Sequence, residues 1–204
     1  MKYLFLIIIP IFYFYMSWFF PWEVLQGNSS VSISYLFDIV FSFAILYFLK
    51  RRMKIGKLRS VKLLYYIPVT IVFACLCVMS SGWLGFNAPF RYVEFPALQL
   101  LLLAPLIEEL VFREGFVALF EKFKLNKILI LSLNSILFSL SHLPALWHLP
   151  VEFHSFIAFQ VFYTLILGWI CTKVRIETKG LALPIIHHFL FNLIFYVALK
   201  MSYI

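Results

Sequence analysis

The sequence has little charge and no long polar segment outside one basic loop. Asp, Glu, Lys and Arg make up 13% of its 204 residues, about half of the ~25% that is usual in soluble domains. Apolar residues reach 64%, and a soluble globule of this length cannot bury so much apolar surface because much of its chain must face water. The composition therefore excludes a soluble enzyme, a nucleic-acid module and a disordered protein, and indicates that lipid surrounds most of the chain.

Cysteine is scarce as well. Cys75, Cys77 and Cys171 all lie in apolar runs and form neither a CxxC motif nor an even set. We interpret them as small packing residues, so a disulfide scaffold is not expected. Internal repeats and low-complexity segments are also missing from the sequence.

Long apolar runs are what the sequence does contain. Each is close to the ~20 residues that a helix needs to cross ~30 Å of hydrocarbon. The first is interpreted as a span rather than a signal peptide, because it is long and aromatic and no small-x-small cleavage site follows it. The pattern predicts an all-α, polytopic transmembrane helical bundle of about seven spans, at residues 3–21, 31–49, 63–83, 96–120, 127–143, 154–172 and 180–199.

Basic residues cluster in the segment 50–62, which has seven of them and no acid. The positive-inside rule places this loop in the cytoplasm, and alternation of the spans then puts 14 of the 17 basic residues on the same side. We expect a multi-pass protein of the cell membrane with a cytoplasmic N-terminus. The loop is interpreted as a topology anchor on anionic lipid, so no nucleic-acid partner is expected.

Ionisable residues inside the spans are exceptions that need a reason, since each costs at least ~2.5 kcal/mol. The densest group is Glu108-Glu109…Arg113. Glu109 and Arg113 are spaced to pair on one helix face, whereas Glu108 points about 100° away. The unpaired carboxylate could act as a general base or acid. The alternative is an ion-pair network that only locks the helix.

Two further pairs of residues have the spacing of one helical turn. His142 follows Phe138 by four residues, and Asn192 follows His188 by four. Asn is costly in lipid and is expected to find a partner inside the bundle. Helical rise spreads the depths of Glu108, His142 and His188 over ~10 Å, so their convergence is an expectation for the structure to test.

These three groups, in this order, resemble the CPBP family (CAAX protease and bacteriocin-processing, or Abi) of intramembrane endopeptidases. The family pattern is EExxxR, then FxxxH, then HxxxN, on separate transmembrane helices. The resemblance covers about residues 95–200. We therefore expect N-terminal transmembrane helices with the basic cytoplasmic loop in 1–94, and a CPBP-type catalytic helical core in 95–204.

The resemblance implies hydrolysis of a peptide bond in a membrane-anchored or lipid-modified protein or peptide. It assigns water activation to Glu108 and His142, and oxyanion stabilisation to His188 and Asn192. A carboxylate beside a His can move the proton of water to the leaving amine, and side-chain donors can hold a tetrahedral oxyanion. Glu109 with Arg113 would orient the catalytic helix.

A zinc mechanism with the same residues is an alternative. Glu108, His142 and His188 form a thermolysin-like ligand set with one open position, and Glu109 would then be the base. The sequence has no HExxH motif to decide between the two mechanisms. We favour metal-free activation of water and keep Zn²⁺ as an alternative cofactor.

Other functions compete with the enzyme. A non-enzymatic bacteriocin-immunity or membrane-binding protein could have the same fold, but the intact set of motifs favours the protease. A transporter would predict internal repeats or broken helices in corresponding halves of the sequence, which we do not find. A haem protein with His ligands would predict a purified protein that is red and absorbs light as haem does. No role is assigned to Asp38 or His187, and His148 and His154 are interpreted as incidental residues of an outer or re-entrant loop.

Overall fold

The computed structural model describes residues 4–20, 34–56, 65–89 and 97–203. These ranges contain helices and no strand. The fourth predicted span is a composite helix. The remaining helices are α1 (Leu4–Phe19), α2 (Ser34–Phe48), α3 (Tyr66–Trp83), α6 (Lys127–Leu140), α7 (Ala145–His148), the 3₁₀ turn (Val151–Phe153), α8 (His154–Thr178) and α9 (Ala182–Lys200).

The fourth span changes helix type three times. It runs as π1 (Leu98–Leu103), α4 (Ala104–Glu109), π2 (Leu110–Phe116) and α5 (Val117–Lys122). A π-helix bonds each N–H to the carbonyl five residues back; it is rare and is frequently found at functional sites. Glu108 and Glu109 end α4 and therefore lie directly before such a segment.

The helices have the length and surface of a membrane bundle. Tyr66–Trp83, Lys127–His148, Val151–Thr178 and Ala182–Lys200 are long and apolar enough to cross a membrane, while α1 and α2 are shorter apolar helices. Large apolar side chains face outward, among them Tyr47 at 88% and Trp83 at 86% exposure. The prediction of an all-α transmembrane bundle is confirmed, with a long helical segment at each of the seven predicted positions.

The centre of the bundle is π2. Its side chains from 111 to 116 are buried, and α2, α6 and α8 pack against it. Tyr13 of α1 makes edge-to-face ring contacts with Phe112 and Phe116 of π2, and Phe41 of α2 contacts Phe116 as well. The N-terminal helices therefore share one hydrophobic core with the second half of the chain.

Helices α6 and α8 form the most extensive packed pair. Asn126 caps α6 by accepting a hydrogen bond from Leu129 N at 2.8 Å. Inside the pair, Asn134 Nδ2 donates to Thr172 Oγ1 at 2.7 Å, and both side chains are buried. Gly168 allows the close approach, since a Cβ there would lie 3.1 Å from Phe138 Cδ1.

Two of the three cysteines, Cys77 and Cys171, are buried, as expected of packing residues, whereas Cys75 is exposed.

Several charges used in the topology prediction lie outside the described residues. Of the basic segment, the structure describes residues 50–56. The charges outside the described ranges are Lys2, Glu23, Lys57, Arg59, Lys62, Arg91 and Glu94.

Candidate active site

Glu109 is the anchor of a buried polar cluster. Its Oε2 lies 3.1 Å from Arg113 Nε, the partner that helical spacing predicts, and both side chains are fully buried. Its Oε1 accepts a hydrogen bond from His188 Nδ1 at 2.9 Å. One carboxylate therefore joins π2 to α9 and orients the His188 ring, since a neutral or charged imidazole must carry its proton on Nδ1 to make this bond.

Phe138 is the packing platform beneath these groups. Its side chain is fully buried, and the Arg113 guanidinium lies over the ring at 4.2 Å from the centroid. His142 and His188 both meet the ring edge-to-face, with centroid distances of 5.2 and 5.7 Å. The Phe of the FxxxH motif thus fixes the positions of a cation and two histidines by cation–π and aromatic contacts.

His142 follows α6 and is held by the helix it leaves. Its Nδ1 lies 3.0 Å from the carbonyl of Phe138, which can only accept, so Nδ1 carries the proton. Ser141 Oγ donates to the same carbonyl at 2.7 Å. The neutral His142 ring therefore presents Nε2 as an acceptor, the state that a general base needs.

Asn192 is fixed by a carbonyl that π1 leaves without its helical partner. Ala104 N–H donates to Gln99 in the π pattern, and the next carbonyl, Leu100, would need the N–H of Pro105, which proline lacks. Asn192 Nδ2 donates to Leu100 O at 2.8 Å instead. The amide has a second N–H that this bond does not use.

The structure brings the four predicted catalytic residues to one cavity. The cavity has a volume of about 190 Å³, well above the roughly 10–15 Å³ that one water needs. Glu108 lines it with 26% of its side chain exposed, and its Oε2 lies 3.7 Å from His188 Nε2. No described residue donates a hydrogen bond to that buried oxygen. Glu108, His142, His188 and Asn192 therefore face the same small volume.

The described residues do not fit the zinc alternative. They contain no group of three or more His, Cys, Asp or Glu side chains arranged to hold a metal ion. The base of that mechanism, Glu109, has one carboxylate oxygen beside Arg113 and the other bonded to His188. Its carboxylate is therefore committed to positioning.

The polar residues without an assigned role lie elsewhere. His187 is fully buried and bonds through Nδ1 to Thr70 Oγ1 at 2.8 Å, which ties α9 to α3. Asp38 pairs with the Tyr13 hydroxyl between α2 and α1. His148 ends α7, and His154 Nε2 donates to Leu149 O at 3.1 Å; neither lines the cavity. The predicted loop contains two short helical turns.

Helical spacing left one buried ion pair, Arg175 with Glu114, without an assigned partner. Arg175 donates through Nε and Nη2 to Glu114 Oε2 at 3.1 and 2.9 Å, and both residues are buried. The backbone N–H of Lys54 donates to the other oxygen of Glu114 at 3.2 Å. The available signal was a Glu inside a span, which must find a cation, but 61 positions separate it from Arg175 and helical periodicity cannot join them.

Comparison with known families accounts for this arrangement. No curated protein and no solved structure matches the chain. A family model described as type II CAAX prenyl endopeptidase, Rce1-like, matches residues 92–194. That range contains all six residues of the predicted site and is just over half of the 204 residues. The chain therefore belongs to the Rce1-like family of type II CAAX prenyl endopeptidases.

Proposed function

We propose that this membrane protease hydrolyses a peptide bond in a membrane-anchored or lipid-modified protein or peptide by means of water that Glu108 and His142 activate. Family membership indicates protease activity of the CAAX type. The single observation that supports the proposed chemistry is the shared cavity of Glu108, His142, His188 and Asn192. These residues come from three separate helical segments, and a structural ion-pair network alone would not need a cavity at their centre.

In the proposed reaction, Glu108 and His142 receive the proton of water. Glu108 Oε2, which accepts no hydrogen bond from the part of the chain that the structure describes, and the acceptor Nε2 of His142 suit this role. The hydroxide adds to the carbonyl carbon, and the carbonyl oxygen becomes a tetrahedral oxyanion. The C–N bond then breaks, and the proton taken from water passes to the leaving amine nitrogen.

Asn192 and His188 are the proposed donors to the oxyanion. The second N–H of Asn192 is available once the first is used by Leu100 O. Because His188 Nδ1–H is committed to Glu109, its Nε2 can donate only when the ring is an imidazolium.

Two substitutions test the proposed water activation. Glu108→Gln and His142→Ala should each slow hydrolysis by about 10²–10⁴-fold, the typical contribution of a general base. Asn192→Ala should slow it by about 10²–10³-fold, as expected for one oxyanion donor. The measurement is cleavage of a quenched fluorescent peptide that ends in a prenylated CAAX sequence, with protein in vesicles.

The matched controls lie outside the cavity. Glu152→Gln and His148→Ala change the same residue types away from the site and should cleave at the wild-type rate. The unprenylated peptide tests whether the lipid is required. Wild-type cleavage by Glu108→Gln or His142→Ala would contradict the mechanism. About one zinc per chain, lost in His188→Ala, would favour the zinc version.

A substrate other than a CAAX peptide must be found by a test that does not assume the sequence of the substrate. Membranes from cells that express the wild-type chain should contain new peptide termini that are missing with Glu108→Gln. A bilayer and a membrane protein or peptide are the partners that this function requires. Identical termini in the two membranes, together with no cleavage of the prenylated peptide, would support a binding protein on the same fold.

A further inference from the structure

A second, basic cavity lies at one end of the bundle. Its volume is about 690 Å³, within the range of roughly 300–1,000 Å³ that is common for ligand pockets. The segment after α2, the start of α6 and the end of α8 form its walls. It shares no lining residue with the catalytic cavity. It is therefore a separate feature of the molecule.

The cavity has a large excess of positive charge. Arg51 is paired with Glu121, and Arg175 with Glu114. Glu121 is the only acid among the described residues that line the cavity. The remaining cations form no ion pair with any described residue, so an anion is the missing partner. They are Lys50, Arg52, Lys54, Lys127 and Lys179.

Two of these lysines occupy backbone positions that favour glycine. Lys50 follows α2 with φ 51°, and Lys179 ends α8 with φ 55°. A helix commonly ends on a left-handed residue, and glycine takes that conformation without the Cβ penalty. Both lysines line the cavity although their backbone conformation is strained, and proteins tend to retain such strain at functional positions.

We propose that this cavity binds a phosphate group, presented by the headgroup of an anionic phospholipid. Phosphate oxygens suit Lys as a point charge and Arg as a bidentate donor. The lipid source is favoured because the cavity lies where three apolar helices of a membrane bundle end or begin. Anionic headgroups attract Lys and Arg near the membrane surface. The site is more than the basic segment after α2, because Lys127 and Lys179 from other parts of the chain also line it.

The test uses the full chain in neutral detergent and counts retained lipid by native mass spectrometry. Phosphatidylglycerol should bind, and phosphatidylcholine, which has the same phosphate without net charge, should not. Each lysine removed should weaken binding about fivefold. The double variant Lys50→Gly with Lys179→Gly should therefore bind more than tenfold more weakly, and it should fold because glycine relieves the left-handed backbone.

Lys124→Gly is the matched control. Lys124 also has a left-handed backbone, with φ 59°, but it does not line the cavity. Its substitution should leave binding of phosphatidylglycerol unchanged, and inorganic phosphate should compete with the lipid in the wild type. Equal retention of the two lipids, or equal weakening by the control and the double variant, would overturn the proposal. Tighter binding of inorganic phosphate than of the lipid would overturn the lipid source.

Discussion

At the scale of single residues, two adjacent glutamates have different environments. Glu109 is fully buried against Arg113 and His188, whereas Glu108 faces the cavity with a carboxylate oxygen that accepts no hydrogen bond from a described residue. Helical geometry explains the division, since adjacent side chains diverge by about 100°. One carboxylate is thereby held by a cation, and the other is left to a water or a substrate.

We expect Arg113→Met to be strongly destabilising. It would leave Glu109 without its guanidinium in a buried site, and breaking a buried pair costs about 3–5 kcal/mol. Adding Glu109→Gln removes the orphaned charge, so the double variant should cost less than the sum of the single ones. Thermal unfolding in detergent measures this, with the exposed Lys122→Met as a control. Additive effects would show that the pair is not coupled.

At the scale of elements, interruptions of regular helix position the site. The change to π geometry and Pro105 free the carbonyl of Leu100, which then holds Asn192. At the other end of the bundle, the segment after α2 pairs with the α8–α9 connection through Leu181 N to Lys54 O and Ala182 N to Ile55 O, each at 2.9 Å. Backbone N–H and carbonyl groups outside regular helix thus find their hydrogen-bond partners on other elements.

Gly180 lets the segment after α2 approach the α8–α9 connection closely enough for these backbone hydrogen bonds. A Cβ at Gly180 would overlap the Cα of Gly56, and the two backbone hydrogen bonds beside it prevent the chains from separating. We expect Gly180→Ala to lower stability by about 1–3 kcal/mol, the usual cost of overpacking. Gly115→Ala is the control, because its nearest atom would be Leu110 O at 3.6 Å, an ordinary contact. Equal melting temperatures for the two variants would contradict this reading.

At the scale of the whole molecule, the N-terminal helices belong to the same core as the site. Tyr13 and Phe41 pack on π2, and Tyr35 of α2 lines the cavity of the candidate active site. Thr70 of α3 holds His187, the neighbour of His188. The division at residue 94 is a prediction from motif coverage, and these contacts indicate two parts that depend on each other.

Expression of residues 95–204 alone should therefore fail to give a folded protein. The isolated part would expose the apolar side chains of π2 that α1 and α2 cover. Limited proteolysis of the membrane fraction should degrade it, while the full chain resists. Co-expression of residues 1–94 as a separate chain should restore resistance if the two parts assemble. A protease-resistant, active 95–204 fragment would contradict the prediction.

The topology remains a prediction from the basic residues. Seven spans with the loop 50–62 in the cytoplasm require a cytoplasmic N-terminus and an outer C-terminus. A fluorescent protein that matures only in the cytoplasm should be bright when fused to the N-terminus and dark when fused to the C-terminus. Bright signal from both ends would show an even number of crossings.

Composition and local spacing were sufficient to predict a helical membrane bundle and to select the residues of the candidate site. Apolar runs and local spacings such as Glu109 with Arg113 are visible in one dimension, because a helix repeats every 3.6 residues. The pairs of residues that meet between helices are visible only in the packed bundle. The contacts of Arg175 with Glu114, of Asn192 with Leu100 and of Phe138 with His188 depend on how separate helices pack. No periodicity encodes such contacts, since burial of the whole bundle selects them.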